Sequence, residues 1–598
     1  MKSMALNDTE KRKKQKGLGL RRSKKAGSSM EEREELRGSY RVIPGFHLSL
    51  GITLVFLAVL ILIPLASILG YSLSLAPSQW LNILSASNVR NAFLTSIVCS
   101  LAAACINAVF GVMLAFVLVR FDFPGRKFLD AMIELPFVMP TAIAGITMSR
   151  MYSSAGLPGQ ILGKIGIKVS YTHLGIVVAL VFVGIPFVVR AVQPVLEKLD
   201  PQYEEAADVM GAGKRMIFFR VILPEIMPAL LTGFSLAFAR GIGEYGSVIY
   251  ISGNSARDHT QVISYVIMQK LNYLDYEGAA ATSFVMLLIS FAIIFMIGLF
   301  QLRQEKRTQG SQVYGKAQGH RQKPQGSGKI LVIFMVCLVL LLLVLPLGYV
   351  LVGALRKGFA FYLAALSTET VQSAFGVTLL ATGIAVVVNT FFGLWAAWLL
   401  TRFAFRGRQV LSTLIDIPFS VSPVIAGLSY IMMFGRSGWA APFLDSVNKA
   451  LGTDIRIVFA LPGVVLATIF VTFPFVSREV IPVLEAAGTQ EEETAAMMGA
   501  KGFTIFRRIT LPHMRWALLY GVILCTARAM GEFGAVNALS KTRGETFTLP
   551  LEIDALYLSG TADSIVAAFA VSSILVILAI VILLIKTILE YRKKSIIN

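Results

Sequence analysis

Residues 203–224 read YEEAADVMGAGKRMIFFRVILP, and residues 491–512 read EEETAAMMGAKGFTIFRRITLP. The two stretches align without a gap when the chain is shifted by 288 residues, so that Glu204 lies against Glu492. Each stretch separates two long apolar segments. A repeat over this distance indicates two copies of one structural unit within the chain.

The repeat extends on both sides of these stretches. At the same offset Pro186 and Arg190 recur as Pro474 and Arg478, and Arg240, Gly243, Glu244 and Gly246 recur as Arg528, Gly531, Glu532 and Gly534. Upstream the offset is 282: Arg120, Glu134, Pro136-Phe137 and Gly145 match Arg402, Asp416, Pro418-Phe419 and Gly427. Six of the transmembrane spans predicted below separate equivalent points, so the two halves have the same orientation in the membrane. This predicts a parallel pseudo-two-fold pair around a central pathway.

Composition places most of the chain in lipid. The 598 residues are 55% hydrophobic and 15% charged, with a mean hydropathy of +0.70. About 20 apolar residues cross a bilayer, and such stretches predict an all-α integral membrane protein with about 12 transmembrane helices in two homologous six-helix halves. The expected spans are 47–70, 91–119, 130–151, 173–195, 227–250 and 279–301, then 330–354, 373–400, 411–434, 459–481, 514–538 and 563–588.

The net charge of +20 is concentrated in tails and short loops. Such a distribution excludes a nucleic-acid surface and follows the excess of Lys and Arg in cytoplasmic loops. It predicts that both termini are cytoplasmic, although loop 435–458 carries three basic residues on the outer side. The expected organisation is a basic cytoplasmic tail (1–46), a first half (47–302), a flexible cytoplasmic linker (303–329), a second half (330–590) and a cytoplasmic end (591–598).

The quoted stretches have the chemistry of a docking element. Acidic residues begin a short helix, where the helix dipole favours them, and small alanines allow another surface to come close. Gly211 and Gly499 permit a sharp turn at the helix end. The residues concerned are Glu204, Glu205, Ala206, Ala207, Gly211, Leu223 and Pro224 in the first copy, and Glu492, Glu493, Thr494, Ala495, Gly499, Leu511 and Pro512 in the second.

This pattern resembles the EAA loop of ABC importer permeases at full spacing in both copies. The departures are Thr494 for an alanine and Val221 for an isoleucine. The resemblance implies that each loop docks on a nucleotide-binding subunit and transmits its closure. An ordinary amphipathic interfacial helix is the alternative interpretation of a single copy, but it does not explain two copies at equivalent positions.

No G-x-x-x-x-G-K-[ST] phosphate loop occurs in the sequence. ATP and Mg²⁺ are therefore expected on a separate ATPase, and the chain is expected to bind no cofactor and to be a non-catalytic subunit. A G-x-G-x-x-G match at Gly241, Gly243 and Gly246 lies inside an apolar span, where close helix packing explains the glycines better.

Longer stretches resemble one importer type. Residues 121–254, with FPGRKFLDAMIELPFVMPTAIAGIT and ARGIGEYGSVIYISGN, look like the T permease subunit of bacterial sulfate/thiosulfate importers, and residues 411–557, with IDIPFSVSPVIAGL and ARAMGEFGAV, look like its W partner. The resemblance implies a fused pair with the type I ABC importer permease fold in the bacterial inner membrane. It also implies two ATPase subunits and an extracytoplasmic sulfate-binding protein. Molybdate/tungstate permeases share the G-E-[FY]-G signature and remain an alternative.

The candidate anion pathway or gate comprises eight residues, four in the fifth span of each half. They are Arg240, Gly243, Glu244 and Gly246, and Arg528, Gly531, Glu532 and Gly534. An anion in hydrocarbon requires cationic or N–H donors. The i, i+4 spacing of Arg and Glu equally fits a structural ion pair, and both interpretations stay open. Arg190 and Arg478 are expected at the headgroups. Pro136, Pro140, Pro418 and Pro423 are expected to kink span three.

Two other classes compete with this interpretation. An ion-coupled secondary transporter also shows repeats and intramembrane charges, but it does not need two docking loops. An integral membrane enzyme requires convergent catalytic groups or a metal cluster, and the five histidines are scattered among loops and span ends.

Overall fold

The computed structural model describes residues 45–200, 202–308, 323–436 and 438–597. Almost all of the predicted basic tail and the central part of the predicted linker lie outside these ranges. The described residues form helices and connecting turns, without a β-strand among them.

Long helices follow one another in the same order in both halves. In the first half they are α1 (Phe46–Leu73), α2 (Ser87–Arg120), α3a (Arg126–Val138), α3b (Thr141–Met151), α4 (His173–Lys198), α5 (Lys214–Ile242) and α6 (Tyr276–Thr308). In the second half they are α7 (Gly328–Ala354), α8 (Glu369–Arg402), α9a (Arg408–Ser420), α9b (Pro423–Phe434), α10 (Leu461–Ala487), α11 (Leu511–Met530) and α12 (Ala562–Ile597).

Shorter helices connect the long ones. They are Pro77–Ser85, Leu157–Lys164, Gln202–Val209, Val248–Ile251 and Ile263–Asn272 in the first half, and Phe359–Leu366, Ala441–Leu451, Gln490–Met497, Gly502–Ile505, Gly534–Leu539 and Leu549–Leu558 in the second.

Nine helices within the described ranges are long and apolar enough to span a membrane, or eleven when each bent pair counts as one span. The sequence predicts about twelve. The predicted span that is missing from this count corresponds to α11. This helix carries His513, Arg515 and Arg528 and is therefore less apolar than its counterpart α5. The two-fold order of long helices in the two halves is nevertheless complete.

Small residues bring three helices of each half into close contact. Val188 of α4 lies between Gly111 of α2 and Gly233 of α5, where an added Cβ would come within 2.7 Å of Val188 atoms. In the second half Val476 lies in the same way between Gly393 and Gly521. Lipid provides little hydrophobic driving force between helices, so such close backbone approach is what stabilises the bundle.

Among the described residues, four π-helical turns lie within long helices or directly before one, and a proline follows each. The turns are Ala58–Leu62, Phe218–Ile222, Leu340–Val344 and Phe506–Thr510, and the prolines are Pro64, Pro224, Pro346 and Pro512. Proline has no N–H to donate to the preceding turn, and a wider turn accommodates the lost bond. This gives a structural reason for the Leu-Pro that closes both repeated stretches.

The third span of each half is broken rather than kinked. The bend is 106° between α3a and α3b and 102° between α9a and α9b. Met139 before Pro140, and Ser422 before Pro423, have extended backbone, which a following proline favours. The predicted span 130–151 is therefore two helices, and so is 411–434.

Span five also ends earlier than predicted. Helix α5 stops at Ile242 and α11 at Met530, and not at residues 250 and 538. The reason is local: Glu244 accepts a hydrogen bond from the Ser247 N–H and Glu532 accepts one from the Ala535 N–H, both at 3.0 Å. These bonds form a turn in place of the next helical turn.

Two segments of the predicted organisation outside the spans are partly or largely helical. Helix α6 continues to Thr308, so residues 303–308 are helical and only 309–322 of the predicted linker lie outside the described ranges. Helix α12 continues to Ile597 and includes most of the predicted end, 591–598. Charged residues such as Lys and Glu are good helix formers and let a helix extend beyond its apolar part.

Candidate functional site

Each repeated stretch forms a short helix followed by a left-handed glycine. We call Gln202–Val209 loop helix 1 and Gln490–Met497 loop helix 2; both have glutamates in the first turn. Gly211 and Gly499 have φ of +83° and +84°, a conformation that glycine adopts without steric cost. The sharp turn predicted at these two positions is confirmed.

The first glutamate of each motif points into the protein. Glu204 forms an ion pair with Arg120 at the end of α2. Glu492 forms the equivalent pair with Arg402 at the end of α8, with 2.8 Å between Oε2 and Nε, and also accepts a hydrogen bond from Thr510 at 2.7 Å. Each loop helix is thereby fixed to the end of a long helix of its own half.

The opposite side of each loop helix is open. Val209 and Met210 are 88% and 81% exposed, and the equivalent Met497 and Met498 are 75% and 84% exposed. Glu205 is exposed and Glu493 half-buried. The Thr494 hydroxyl donates to the Gln490 carbonyl at 2.8 Å, so threonine fits in the place of alanine without an unpaired polar group.

The remaining motif residues support the loop helices. Ala207 is buried and Ala495 half-buried against the rest of the loop, while Ala206 is exposed. Leu223 and Pro224 begin the regular part of α5 after its π turn, and Leu511 and Pro512 begin α11 in the same way. Both leucine–proline pairs therefore set the direction in which the chain returns to the bundle.

A cavity of about 40 Å³ lies between the two halves, with room for a few water molecules. Its fourteen lining residues form seven pairs that the repeat makes equivalent. They are Pro136 and Pro418, Phe137 and Phe419, Met139 and Val421, Thr141 and Pro423, Val183 and Val471, Phe187 and Phe475, and Arg240 and Arg528. The cavity therefore lies on the pseudo-two-fold axis of the molecule.

The predicted i, i+4 ion pairs are present at this cavity. The Arg240 Nη2 lies 2.7 Å from the Glu244 Oε2, and the Arg528 Nη2 lies 2.6 Å from the Glu532 Oε2. Both carboxylates are 1% exposed. Both arginines line the cavity and neither glutamate does.

The glycines of span five pack where the halves meet. An added Cβ on Gly243 would lie 3.1 Å from the Ser422 Cα, and one on Gly531 would lie 3.1 Å from the Pro140 Cα. Gly246 and Gly534 pack against Thr141 and Pro423 of their own halves. The Ser422 hydroxyl donates to the Gly243 carbonyl at 2.8 Å, so the breaks of the third spans close against the ends of α5 and α11.

The aromatic pair Tyr245 and Phe533 lies next to these contacts. The two residues are equivalent by the repeat, and their rings stack with 5.9 Å between centroids and 12° between planes. One ring comes from each half.

The arginines of α4 and α10 form ion pairs, whereas the sequence suggested headgroup contacts. Arg190 lies 2.7 Å from Glu134 and 2.8 Å from Asp130, and Arg478 lies 2.8 Å from Asp416. The partners are about 60 residues away along the chain. No local spacing signals such a pair, although the matched acidic residues Glu134 and Asp416 in the repeat are a usable indication.

Comparison with known proteins agrees with this arrangement. Residues 107–310 and 389–595 each match the family described as binding-protein-dependent transport system inner membrane component. Together the two matches cover more than half of the chain. The chain belongs to this family of membrane permeases.

Individual relatives match one half at a time. The sulfate transport system permease protein CysT of Escherichia coli K12 is 43% identical over 272 residues, which is 46% of this chain and 98% of that protein. CysW of the same strain is 46% identical over 255 residues, 42% of this chain and 84% of that protein. CysW of Synechocystis is 46% identical over 254 residues, 42% of this chain and 89% of that protein. The predicted resemblance to a fused T-type and W-type pair is confirmed.

In this permease one polar cluster joins the halves without a symmetric counterpart. The Glu134 side chain of the first half is 5% exposed and contacts two residues of the second half. It forms an ion pair with Lys586 and accepts a hydrogen bond from the Tyr520 hydroxyl at 3.0 Å. The repeat places Gly298 and Thr232 at the equivalent positions of the first half. Sequence reasoning missed this cluster because its members stand at positions where the two halves differ.

A second asymmetric contact lies at the other end of the bundle, away from the loop helices. The Tyr250 hydroxyl of the first half donates to the Asp554 carboxylate of the second at 2.7 Å, and the Lys541 amine donates to the Asn272 side chain at 3.1 Å. Burial raises the pKa of Asp554 from 3.8 to about 6. The halves are thus held together by polar contacts at both ends of the central cavity.

Proposed function

We propose that this chain is the membrane-spanning permease component of an ATP-driven importer for sulfate or thiosulfate. The observation that carries the proposal is that relatives named as both sulfate permease subunits, CysT and CysW, match parts of this one chain. The central cavity with two arginines supports an anionic substrate.

The loop helices are the proposed contacts with a separate ATPase. Exposed apolar side chains that are grouped together mark a protein interface, and Val209, Met210, Met497 and Met498 form one such group on each loop helix. Two equivalent groups call for two copies of the ATPase, one on each loop. ATP and Mg²⁺ then bind on that partner.

Coupling follows from how the loop helices are attached. When the ATPase subunits close, loop helix 1 moves with Arg120 and α2, and loop helix 2 moves with Arg402 and α8, because ion pairs join them. Helices α2 and α8 pack on α4 and α10 through the glycine contacts described above. Motion at the loops therefore reaches the helices that line the cavity.

Orientation and the remaining partner complete the proposal. The loop helices and the basic termini lie on the cytoplasmic side of the bacterial inner membrane, as the distribution of Lys and Arg indicates. An extracytoplasmic binding protein delivers the anion at the opposite end, where Asp554 and Lys541 lie.

Charge reversal on the open side of the loop helices tests the coupling. In the full chain Glu205→Arg with Glu493→Arg should abolish co-purification of the ATPase and ATP-dependent sulfate uptake, while the permease elutes unchanged in size-exclusion chromatography. The matched control is Glu277→Arg with Glu545→Arg, two exposed glutamates away from the loops, which should retain the ATPase. Normal ATPase binding and uptake by the first double variant would contradict the docking role.

A further inference from the structure

We propose that the cavity between Arg240 and Arg528 is the site at which the permease binds its tetrahedral dianion during passage. This inference rests on the proposed function and adds the residues that contact the substrate. The two guanidinium groups come from opposite halves and are the only charged side chains among the fourteen residues described as lining the cavity.

Each arginine keeps donors for an anion while it is paired. A guanidinium has five N–H donors in a planar fork, and the ion pair engages Nη2 of each arginine. The arginine side chains remain 14% and 13% exposed, whereas the paired carboxylates are 1% exposed. The exposed part of each arginine faces the cavity, and the carboxylate lies behind it.

The second oxygen of each glutamate is also occupied. The Glu244 Oε1 accepts hydrogen bonds from the Ser247 N–H and hydroxyl, and the Glu532 Oε1 accepts one from the Ala535 N–H. The carboxylates are thus held by the backbone of their own half and stay behind the arginines. The two arginines and the two glutamates together carry no net charge, which lowers the cost of two arginines inside the membrane.

The broken spans add a weaker attraction for an anion. Helices α3b and α9b begin at Thr141 and Pro423, and both residues line the cavity. The N-terminal end of a helix carries a partial positive charge, and interrupted helices with this orientation bind anionic groups in transporters. Here the dipoles supplement the arginines, which carry the argument.

Four phenylalanines complete the lining in two symmetric pairs. Phe137 meets Phe187 at 5.0 Å between centroids, and Phe419 meets Phe475 at 5.1 Å. These rings make part of the wall apolar, which strengthens the contact between a dianion and the guanidinium groups. A neutral paired site also binds moderately, and a transport site must release its ion.

Charge exchange separates an anion site from a structural ion pair. In vesicles with the partner ATPase and binding protein, Arg240→Gln with Arg528→Gln should lower sulfate uptake at least about tenfold, because it removes both charged hydrogen-bond donors from the cavity. The exchange Arg240→Glu with Glu244→Arg preserves the pair but moves the cation away from the cavity. We expect it to fold with some loss of thermal stability, because Arg at position 244 cannot accept the Ser247 hydrogen bonds, and to lose uptake; wild-type uptake by the exchanged variant would overturn the inference.

A labelling experiment tests the anion site even if the arginine variants fail to fold. Thr141→Cys in a chain whose four native cysteines are replaced by serine should react with a negatively charged thiol reagent during ATP turnover, and sulfate should slow that reaction. Ser74→Cys, exposed at the end of α1, is the control that sulfate should not affect. Equal rates for Thr141→Cys with and without sulfate would contradict the site.

The wild-type protein in the same vesicles separates the two proposals. If wild-type vesicles show no ATP-dependent sulfate uptake, the proposed function is wrong. If wild-type uptake is present and both the glutamine and the exchanged variants match it, only the assignment of the cavity is wrong.

Discussion

Two ion pairs at equivalent positions fix the loop helices, but their environments differ. The side chains of Arg402 and Glu492 are 1% and 3% exposed, whereas those of Arg120 and Glu204 are 12% and 22% exposed. Water screens the pair of Arg120 with Glu204 more than the pair of Arg402 with Glu492. The two halves should therefore depend unequally on their glutamates.

We predict that Glu492→Gln destabilises the second half by about 3–5 kcal/mol, because it removes the carboxylate that lies 2.8 Å from the buried Arg402 guanidinium. Glu204→Gln should cost about 1 kcal/mol or less, as for exposed pairs. Thermal unfolding of the two purified variants, followed by intrinsic fluorescence, measures the difference. Equal losses would mean that burial does not decide the strength of these pairs.

The Asp554 carboxyl gives a prediction about pH. Burial raises its pKa from 3.8 to about 6, while the Tyr250 hydroxyl and Lys541 oppose the shift. Between these two pH values the folded protein holds a proton that the unfolded chain has released, so stability falls as the pH rises through this window and is constant above it. At about 1.4 kcal/mol for each pH unit, the total is at most about 3 kcal/mol.

The melting temperature should therefore fall between about pH 4 and pH 6, and Asp554→Asn should reduce that slope. Asp445→Asn, a change at an exposed carboxylate of the Ala441–Leu451 helix, should leave the slope as in the wild type. An unchanged slope in Asp554→Asn would show that another group causes the pH dependence.

At the scale of residues, the sequence predicts contacts only when the partners lie close along the chain. The pairs of Arg240 with Glu244 and Arg528 with Glu532 follow from i, i+4 spacing. Glu204 with Arg120 and Glu134 with Lys586 join distant parts of the chain, and helix periodicity gives no signal for them. Their geometry depends on how the helices pack.

At the scale of elements, the loop helices combine a fixed side with an apolar side. We predict that serine at Val209, Met210, Met497 and Met498 weakens ATPase binding at least about tenfold without unfolding the permease, since buried apolar side chains contribute about 1.5–3 kcal/mol each. Titration of the labelled ATPase against permease in nanodiscs measures the affinity. Leu157→Ser with Ile161→Ser, a matched change at exposed apolar residues, is the control, and equal affinities for both variants would argue against the interface.

The broken third spans show the limit of prediction at this scale. Prolines in an apolar segment predict a kink, and both Pro140 and Pro423 are visible in the sequence. The break of more than 100° requires room for two helices to separate. The broken ends fit against small residues of the other half, Ser422 against Gly243 and Pro140 against Gly531. These contacts form only when the two halves pack together.

At the scale of the whole molecule, the repeat predicts most of the architecture. A repeat at offsets of 282 and 288 residues, with six spans between equivalent points, requires two parallel halves, and the seven equivalent residue pairs around the cavity follow from that symmetry. The contacts that break the symmetry do not follow from it. They are the contacts of Glu134 with Lys586 and Tyr520 and the contact of Tyr250 with Asp554. They form where the sequences of the two halves have diverged.

These contacts should hold the halves together without a covalent connection. We predict that a protease site inserted between Gly315 and Lys316 can be cut in detergent while the two halves continue to co-elute. Tyr520→Phe with Lys586→Met should make the cut halves separate at lower denaturant, because it removes the cross-half partners of Glu134. Separation of the wild-type halves immediately after cutting would show that the tether, and not the interface, maintains the assembly.

The central claim is that this permease moves sulfate only when a separate ATPase drives it. The most direct measurement is uptake of radiolabelled sulfate into vesicles that contain the chain, with the ATPase, the binding protein or ATP omitted in turn. We predict accumulation only when all are present, with thiosulfate as an effective competitor. Accumulation without the ATPase or without ATP would contradict the account, and accumulation of molybdate in place of sulfate would contradict the assigned substrate.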